Sequence, residues 1–213
     1  MSRTLRSLAL AAIAGAALTT AAGASPLSLT APDRQTPDQR FVQPVVPPQT
    51  GIERDARLTR QVVAYATNEA PGTVIIDTPN TYLYLVLGDG RALRYGIGVG
   101  RQGFAWAGVQ SITKKAEWPD WTPPPEMLER QPYLPRFMAG GPGNPLGARA
   151  MYLGGTEYRI HGTNAPETIG TRVSSGCIRL VNEDVIDLYS RVNVGAKVIV
   201  LPVDQRAKSV AMR

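Results

Sequence analysis

Alternating aromatic and aliphatic residues between two turn sequences constrain the fold of this chain more than any other feature. Residues 81–87 read Thr-Tyr-Leu-Tyr-Leu-Val-Leu, which puts tyrosines and a valine on one face of a strand and leucines on the other. Asp-Thr-Pro-Asn at residues 77–80 and Gly-Asp-Gly at residues 88–90 are turn sequences. With the β-branched run at 73–77 and the returning run at 91–99, they predict a meander of antiparallel strands.

More strands and one helix are predicted in the C-terminal part of the chain. Residues 150–153 and 158–161 have the composition of short strands, and residues 197–201 that of a last one. Between them we expect a helix with Asn182 as its N-cap and Gly195 at its end. Its apolar residues recur at helical spacing: Val185, Leu188, Tyr189 and Val192. The chain therefore predicts one mainly-β domain with one clear α-helix.

Residues 100–150 read as a long irregular insertion. All three tryptophans lie here, together with many prolines and a glycine-rich stretch at residues 140–147. Residues 126–130 follow a run of prolines and predict a short helix, because proline is tolerated in a first turn. A loop this long is usually functional, so its aromatic side chains could line a substrate groove. The alternative, equally weighted, is that Trp118 and Trp121 only fill the edge of the core.

Residues 1–24 have the pattern of a cleavable signal peptide. Arg3 and Arg6 give a basic start, and residues 8–18 are apolar but too short for a stable membrane span. Small residues at 22–24 suit a signal peptidase, so we expect cleavage after Ala24. This predicts a periplasmic or cell-envelope protein with no stable membrane span after cleavage. A retained membrane-tethering helix is the alternative.

Two further segments differ from the domain in composition. Residues 25–70 begin with a stretch rich in Pro, Gln, Thr and charge, which favours extended and solvated backbone. We therefore predict a Pro-rich linker and N-terminal extension over 25–70, and a short tail over 202–213.

Charge and ligand chemistry exclude several classes of function. The formal net charge is +6, and the basic residues are scattered without interleaved aromatics, so binding to nucleic acid is not expected. A modest positive charge would suit an anionic polymer. A metal site is not expected either, because one histidine and one cysteine fall short of the ligands that zinc requires.

Cys177 is the only cysteine and His161 the only histidine, and sixteen positions separate them. An exported chain with one cysteine cannot form an internal disulfide, which makes the thiol a candidate reactive group. A thiol attacks as its thiolate, so it needs a lowered pKa or a nearby base, and His161 could be that base. The competing interpretation is a buried cysteine that acts as a small hydrophobe.

The residues around Cys177 suit a nucleophile loop. Gly176 permits a tight turn, in which the backbone N–H groups of Gly176 and Cys177 could both form an oxyanion hole. Arg179 lies on the same side of an extended segment as Cys177, where it could favour the thiolate or bind a substrate carboxylate. Ser175 could donate to substrate or bond its own backbone. Three groups could hold the His161 imidazole: the side chains of Asn164 and Glu167 and the backbone carbonyl of Gly162.

At these residues the chain resembles the L,D-transpeptidases with a YkuD-type catalytic domain, the group of ErfK, YbiS, YcfS and YnhG. The matching motifs are His-Gly-Thr at 161–163, Ser-Ser-Gly-Cys-Ile-Arg-Leu at 174–180 and Asn-Glu-Asp-Val at 182–185. The resemblance runs from about residue 71 to 201 and includes Asn-Pro-Leu-Gly at 144–147. It implies a catalytic domain over 71–201 with the β-sandwich fold of the family and a Cys-His site in a groove.

The resemblance also implies a mechanism. Cys177 would be the nucleophile, His161 its base and later proton donor, and the Gly162 carbonyl would orient the imidazole. The donor would be a peptidoglycan tetrapeptide stem, cut between diaminopimelate and D-Ala to leave a thioester. An amine of a second stem would resolve this thioester and link two diaminopimelate residues. Carbapenem-type inhibitors are expected to acylate the thiol, and no metal or organic cofactor is needed. The residues assigned to substrate binding are Arg179, Ser175 and Asn164.

Several alternatives remain open at this point. Water as acceptor would make the protein a carboxypeptidase or an amidase, and an amine of an outer-membrane protein would make it an anchoring enzyme. The acceptor side is expected within residues 100–150. A non-catalytic wall-binding module is a further alternative. Ser175 stands where many members of the family have histidine, which leaves any substrate role of that second imidazole in doubt.

Overall fold

The computed structural model describes residues 55–207 and the backbone of residues 209–211. The predicted signal peptide and most of the predicted linker lie outside the described residues. The helices are α1 (Pro125–Arg130) and α2 (Asn182–Arg191), with 3₁₀ turns at Ala56–Leu58 and Pro166–Thr168. The strands are β1 (Gln61–Tyr65), β2 (Val74–Asp77), β3 (Tyr82–Gly88), β4 (Arg91–Gly96), β5 (Val99–Gly100), β6 (Gly108–Glu117), β7 (Arg149–Leu153), β8 (Arg159–His161), β9 (Arg172–Ser174), β10 (Ile178–Arg179), β11 (Lys197–Val200) and β12 (Ser209–Ala211).

The predicted mainly-β fold is confirmed. Within the described part of the chain, ten strands form one sheet in the order β10-β8-β7-β6-β11-β2-β3-β4-β1-β12, and β5 pairs with β9. The predicted meander is the antiparallel run β2-β3-β4, in which Leu83 lies opposite Ile76 on one side and Tyr95 on the other. All three of these side chains are fully buried, so both neighbours of β3 fix its register through the core.

The main core lies between α2 and the sheet. Val185, Leu188 and Val192 are buried there, as the helical spacing predicts, and each such side chain stabilises the fold by roughly 1.5–3 kcal/mol relative to exposure. The last carbonyls of a helix lack partners within the helix. Lys115 is the partner of two carbonyl oxygens at the end of α2, because its Nζ donates to those of Tyr189 and Val192, both at 2.7 Å.

Two expectations about local structure need correction, one about residues 100–150 and one about the start of α2. The segment 100–150 contains the ten-residue strand β6, which sequence reasoning missed because Ile112 is its only buried residue. The predicted short helix is present as α1. Val181, and not Asn182, is the N-cap of α2, and the Asn182 side chain binds backbone elsewhere. Strand β1 falls inside the segment 25–70 that was assigned to the linker and extension, and it pairs with β4 and β12.

The returning strand of the meander is also shorter than expected. β4 stops at Gly96, and the chain continues through Ile97 and Gly98 before β5 starts. Gly98 exchanges two backbone hydrogen bonds with Arg179, at 2.8 and 2.9 Å, and thereby covers the outer edge of β10. Neither helix of the described chain is long and apolar enough to cross a bilayer.

Candidate active site

Two short parallel strands bring the histidine and the cysteine to one wall of the protein. β8 ends at His161 and β10 starts directly after Cys177, with Arg179 opposite His161. The same register, continued toward the N-terminus, places Cys177 opposite Arg159. Because side chains alternate along a strand, these four residues share a face. The predicted position of Arg179 on the same side as Cys177 therefore agrees with the geometry.

All four side chains line a cavity of about 270 Å³. The segment 100–150 contributes further lining residues, which include Trp121, Met127 and Leu146. Trp121 thus lines the cavity, which agrees with the first of the two alternatives, whereas Trp118 does not line it. A second cavity of about 340 Å³ shares Met127, Tyr158 and Ser175 with the first. The cysteine thus faces a bounded space of the size of a small peptide segment.

His161 is 5% exposed and is held by its own neighbour. Its Nδ1 lies 2.6 Å from the carbonyl oxygen of Gly162. A carbonyl can only accept, so Nδ1 carries the proton and Nε2 is left as the basic nitrogen. Burial lowers the pKa of His161 to about 3, and the positive charges of Arg179 and Arg159 add to this effect. The Gly162 and Leu146 carbonyls oppose it. The imidazole is therefore neutral at physiological pH.

Cys177 is half-buried and protonated in this state. Burial raises the pKa of its thiol, while the backbone and guanidinium of Arg159 and, to a smaller extent, the charge of Arg179 lower it. Its Sγ lies 3.9 Å from the carbonyl oxygen of Glu157, to which the thiol donates. Thiol and imidazole thus border the same cavity, but the hydrogen bonds within the described residues join each of them to a backbone carbonyl. The site contains a neutral thiol and a neutral base.

The cysteine loop, residues 174–177, is closed by its own serine. The Ser174 hydroxyl donates to the Cys177 carbonyl oxygen at 2.6 Å and accepts the Gly176 N–H at 3.2 Å. This corrects the expectation that Gly176 and Cys177 both offer N–H groups to an oxyanion, because the Gly176 N–H is already used. Within the described residues the Cys177 N–H has no hydrogen-bond partner. This N–H therefore remains available to a ligand.

The other predicted site residues fall into two groups. Ser175 lines both cavities and makes no hydrogen bond with the described residues, so its hydroxyl is available to a ligand. Asn164 also lines the first cavity, but its side-chain amide donates to the Gly143 carbonyl at 3.0 Å. It therefore supports the glycine-rich loop and does not hold the imidazole. Of the three groups considered for holding the imidazole, the Gly162 carbonyl is the one that is hydrogen-bonded to it.

Asn182 is a supporting residue whose role sequence reasoning missed. Its Oδ1 accepts the backbone N–H of Ala148 at 2.9 Å and that of Thr163 at 3.3 Å. A side chain at Gly162 would collide with this oxygen, so the close approach requires glycine. The first residue of α2 thereby fixes the turn that carries the Gly162 carbonyl. Its signals in the sequence were an Asn at a helix start, which normally indicates a cap, and its place in the Asn-Glu-Asp-Val motif at 182–185.

Positive charge dominates the cavity. Four arginines line it: Arg101, Arg130, Arg159 and Arg179. Glu157 is the only acidic residue in the lining. Two of them are incompletely satisfied, since Nε of Arg159 and both Nε and Nη2 of Arg179 are buried without a hydrogen-bond partner. Burial lowers the pKa of Arg179, although the guanidinium remains charged. Such a cavity favours an anionic ligand. Among residues 55–207 no cluster of three potential metal-ligating side chains occurs.

With this geometry in place, comparison with known proteins is decisive. The model of the L,D-transpeptidase catalytic domain, YkuD, matches residues 71–200. This protein belongs to the YkuD family of L,D-transpeptidases. The match includes every residue discussed above for the cavity wall formed by β8 and β10.

Two curated relatives are similar to this member of the family. The probable L,D-transpeptidase ErfK/SrfK of Escherichia coli K12 is 39% identical over 144 residues, which cover 63% of this chain and 45% of the relative. The probable L,D-transpeptidase YbiS of the same strain is 38% identical over 136 residues, or 60% and 43% of the two chains. This chain thus matches less than half the length of either relative.

The solved carbamoyl enzyme of Ldtfm with avibactam shares the fold. It is 22% identical to this chain, with a TM-score of 0.50 over 63% of this chain and 50% of that one.

Proposed function

We propose that this protein is an exported, cysteine-dependent L,D-transpeptidase that joins two peptidoglycan stem peptides through a thioester on Cys177. The observation that carries the proposal is the placement of Cys177 and His161 on one cavity wall, with Nδ1 of the imidazole held by Gly162. A thiol paired with an oriented base is the arrangement that covalent acyl transfer requires. The expected domain boundaries, residues 71–201, belong to this proposal.

The first half-reaction starts from the neutral pair. A rotation about the Cys177 side chain takes Sγ from the Glu157 carbonyl toward Nε2 of His161. Nε2 takes the thiol proton while sulfur attacks the carbonyl carbon between diaminopimelate and the terminal D-Ala. The C–N bond then breaks, the proton passes from the imidazolium to the amine of D-Ala, and the acyl group stays on sulfur as a thioester.

The second half-reaction regenerates the enzyme. An amine of diaminopimelate in another stem attacks the thioester carbonyl, and His161 removes a proton from it. The C–S bond breaks, the proton returns to sulfur, and a new amide joins two diaminopimelate residues. The second cavity, which shares Met127, Tyr158 and Ser175 with the first, gives the acceptor a place next to the thioester.

The charge of the cavity supports a stem peptide as the donor. Such a stem carries several carboxylates, and four arginines face a single acidic residue in the cavity. We assign Arg179 to a substrate carboxylate and Ser175 to a hydrogen bond with the peptide. Asn164 acts at the cavity rim, where it also holds Gly143. Residues 1–24 would direct the enzyme to the periplasm, where its polymer substrate lies.

The test is incubation of the protein lacking residues 1–24 with a disaccharide-tetrapeptide, followed by mass spectrometry. We expect an intact-mass increase at Cys177 and products in which two stems are joined. Tripeptides alone would make water the acceptor, and conjugates with an added outer-membrane protein would make it an anchoring enzyme. A carbapenem should also acylate Cys177, by analogy with the avibactam carbamoyl enzyme of Ldtfm. A wild-type thiol that takes up no acyl group from either reagent would refute the proposal.

A further inference from the structure

A tryptophan outside the cavity holds the peptide group on which the nucleophile sits. Nε1 of Trp106 donates to the carbonyl oxygen of Gly176 at 2.9 Å, across 70 positions of sequence. The indole lies parallel to the ring of Tyr158, with an interplanar angle of 6° and 4.7 Å between ring centroids. Both side chains are half-buried against the main core. A hydrogen bond from this stacked pair of rings thus holds the Gly176 carbonyl.

This hydrogen bond determines where the Cys177 N–H points. The Gly176 carbonyl and the Cys177 N–H belong to one planar trans peptide, in which they point in opposite directions. Fixing the carbonyl on Trp106 therefore aims the N–H away from the tryptophan. The neighbouring backbone groups are satisfied by Ser174, which binds the Gly176 N–H and the Cys177 carbonyl. The Cys177 N–H, by contrast, has no partner among the described residues.

The conformation of Gly176 fits the same arrangement. Its φ is +104°, a region that favours glycine, and a Cβ at this position would overlap the ring of Tyr158. Tyr158 is itself fixed by its backbone, since its N–H donates to the Thr156 hydroxyl at 3.1 Å and its carbonyl accepts the Leu153 N–H at 3.1 Å. The loop cannot move toward Tyr158, and the indole prevents rotation of the peptide.

We propose that Trp106 is a positioning residue that orients the Gly176–Cys177 peptide so that the Cys177 N–H stabilises the oxyanion formed during acyl transfer. The inference rests on the proposed function, because an oxyanion forms only if the thiol attacks a carbonyl. Removing one oxyanion donor typically lowers the rate by about 10²–10³-fold. Trp106 acts through the donor and does not contact substrate, so its loss should have a smaller effect, about 10–100-fold.

Two reactions of the same thiol separate this role from a merely structural one. Acylation by a carbapenem passes through an oxyanion, whereas alkylation by iodoacetamide displaces iodide from a CH₂ group and forms none. Trp106→Phe keeps an aromatic ring over Tyr158 but lacks the N–H donor. We expect its acylation rate to fall about 10–100-fold while its alkylation rate stays within about twofold of the wild type. The matched control is Trp118→Phe, at a tryptophan that does not line the cavity, with both rates expected to be unchanged.

A second variant keeps the experiment decisive if Trp106→Phe does not fold. Site-specific replacement of Trp106 by 3-benzothienylalanine preserves the shape of the indole and puts sulfur in place of the N–H group. Acylation and alkylation rates that fall together would overturn the proposal, as would two unchanged rates. Failure of the proposed function looks different, because the wild-type thiol would then be alkylated but never acylated.

Discussion

The Oδ1 atom of Asn182 accepts the backbone N–H of Thr163 at 3.3 Å. Thr163 lies two residues after His161 in the chain. The same oxygen accepts the Ala148 N–H, so one buried side chain joins the start of α2 to both loops that flank the imidazole. The turn that orients His161 is therefore supported by the helix and not only by its own strand.

Replacement of Asn182 by alanine should therefore reduce both stability and activity. It removes the hydrogen-bond acceptor of two buried N–H groups, and a buried group that is left unsatisfied costs about 1–3 kcal/mol. The free energy of unfolding, measured with urea, should fall by at least the lower figure, and acylation should slow because the Gly162 turn loosens. Asn193→Ala, at an exposed asparagine just after the helix, is the control and should leave stability unchanged. Equal stability of the two variants would contradict the role given to Asn182.

Removal of the thiol should abolish the reaction and leave the stability of the fold nearly unchanged. Cys177→Ala is expected to abolish adduct formation with a carbapenem and all turnover of the tetrapeptide. Cys177 is half-buried in a loop, so the free energy of unfolding should stay within about 1 kcal/mol of the wild type. Intact-mass spectra and urea unfolding curves provide the two measurements. Residual turnover in the variant would show that another group attacks the substrate.

The burial of His161 should make the fold sensitive to acid. Its pKa is about 3 in the folded protein and about 6.5 in an unfolded chain, so between these values the unfolded state binds the extra proton. Stability should therefore fall as pH decreases from about 6.5 toward 3, by on the order of a few kcal/mol in total. Urea unfolding at a series of pH values gives the slope. His161→Gln lacks the titrating group and should show a shallower dependence; identical slopes would contradict the assignment.

Arg159 should tune the reactivity of the thiol. Burial raises the pKa of Cys177, and Arg159 is the residue that opposes this rise most strongly. Arg159→Gln should therefore move the midpoint of the pH profile for iodoacetamide alkylation further upward and slow alkylation at neutral pH. Arg159→Lys retains a positive charge and should shift the midpoint less. A profile that does not respond to Arg159→Gln would mean that this guanidinium has no effect on the thiolate.

The sequence predicts those parts of the fold whose residues alternate clearly. Helix α2 follows from apolar periodicity because one of its faces is buried, and strands β2 to β4 follow from apolar residues that are buried on both faces. Strand β6 escapes notice, since lysines and a glutamate occupy most of its second half and its register comes from its partners β7 and β11. Short strands such as β5 and β10 depend on pairing between distant segments, which no local pattern records.

The same limit applies to the site. Cys177 and His161 stand out because each is unique in the chain, and the motif around them indicates their chemistry. The roles of Arg159, Trp106 and Asn182 are not predicted in this way, because they come from contacts across the fold. The Gly176 N–H illustrates the opposite error: the sequence offers it as a donor, but the hydroxyl of Ser174 occupies it.

Base and nucleophile lie within one stretch of 17 residues, His161 to Cys177, while much of the remaining cavity lining comes from the separate segment 100–150. The proposed function therefore assigns the reaction and the choice of acceptor to different segments of the chain. Chimaeras that exchange the segment 100–150 between family members would show whether the acceptor changes while the reactive pair stays intact.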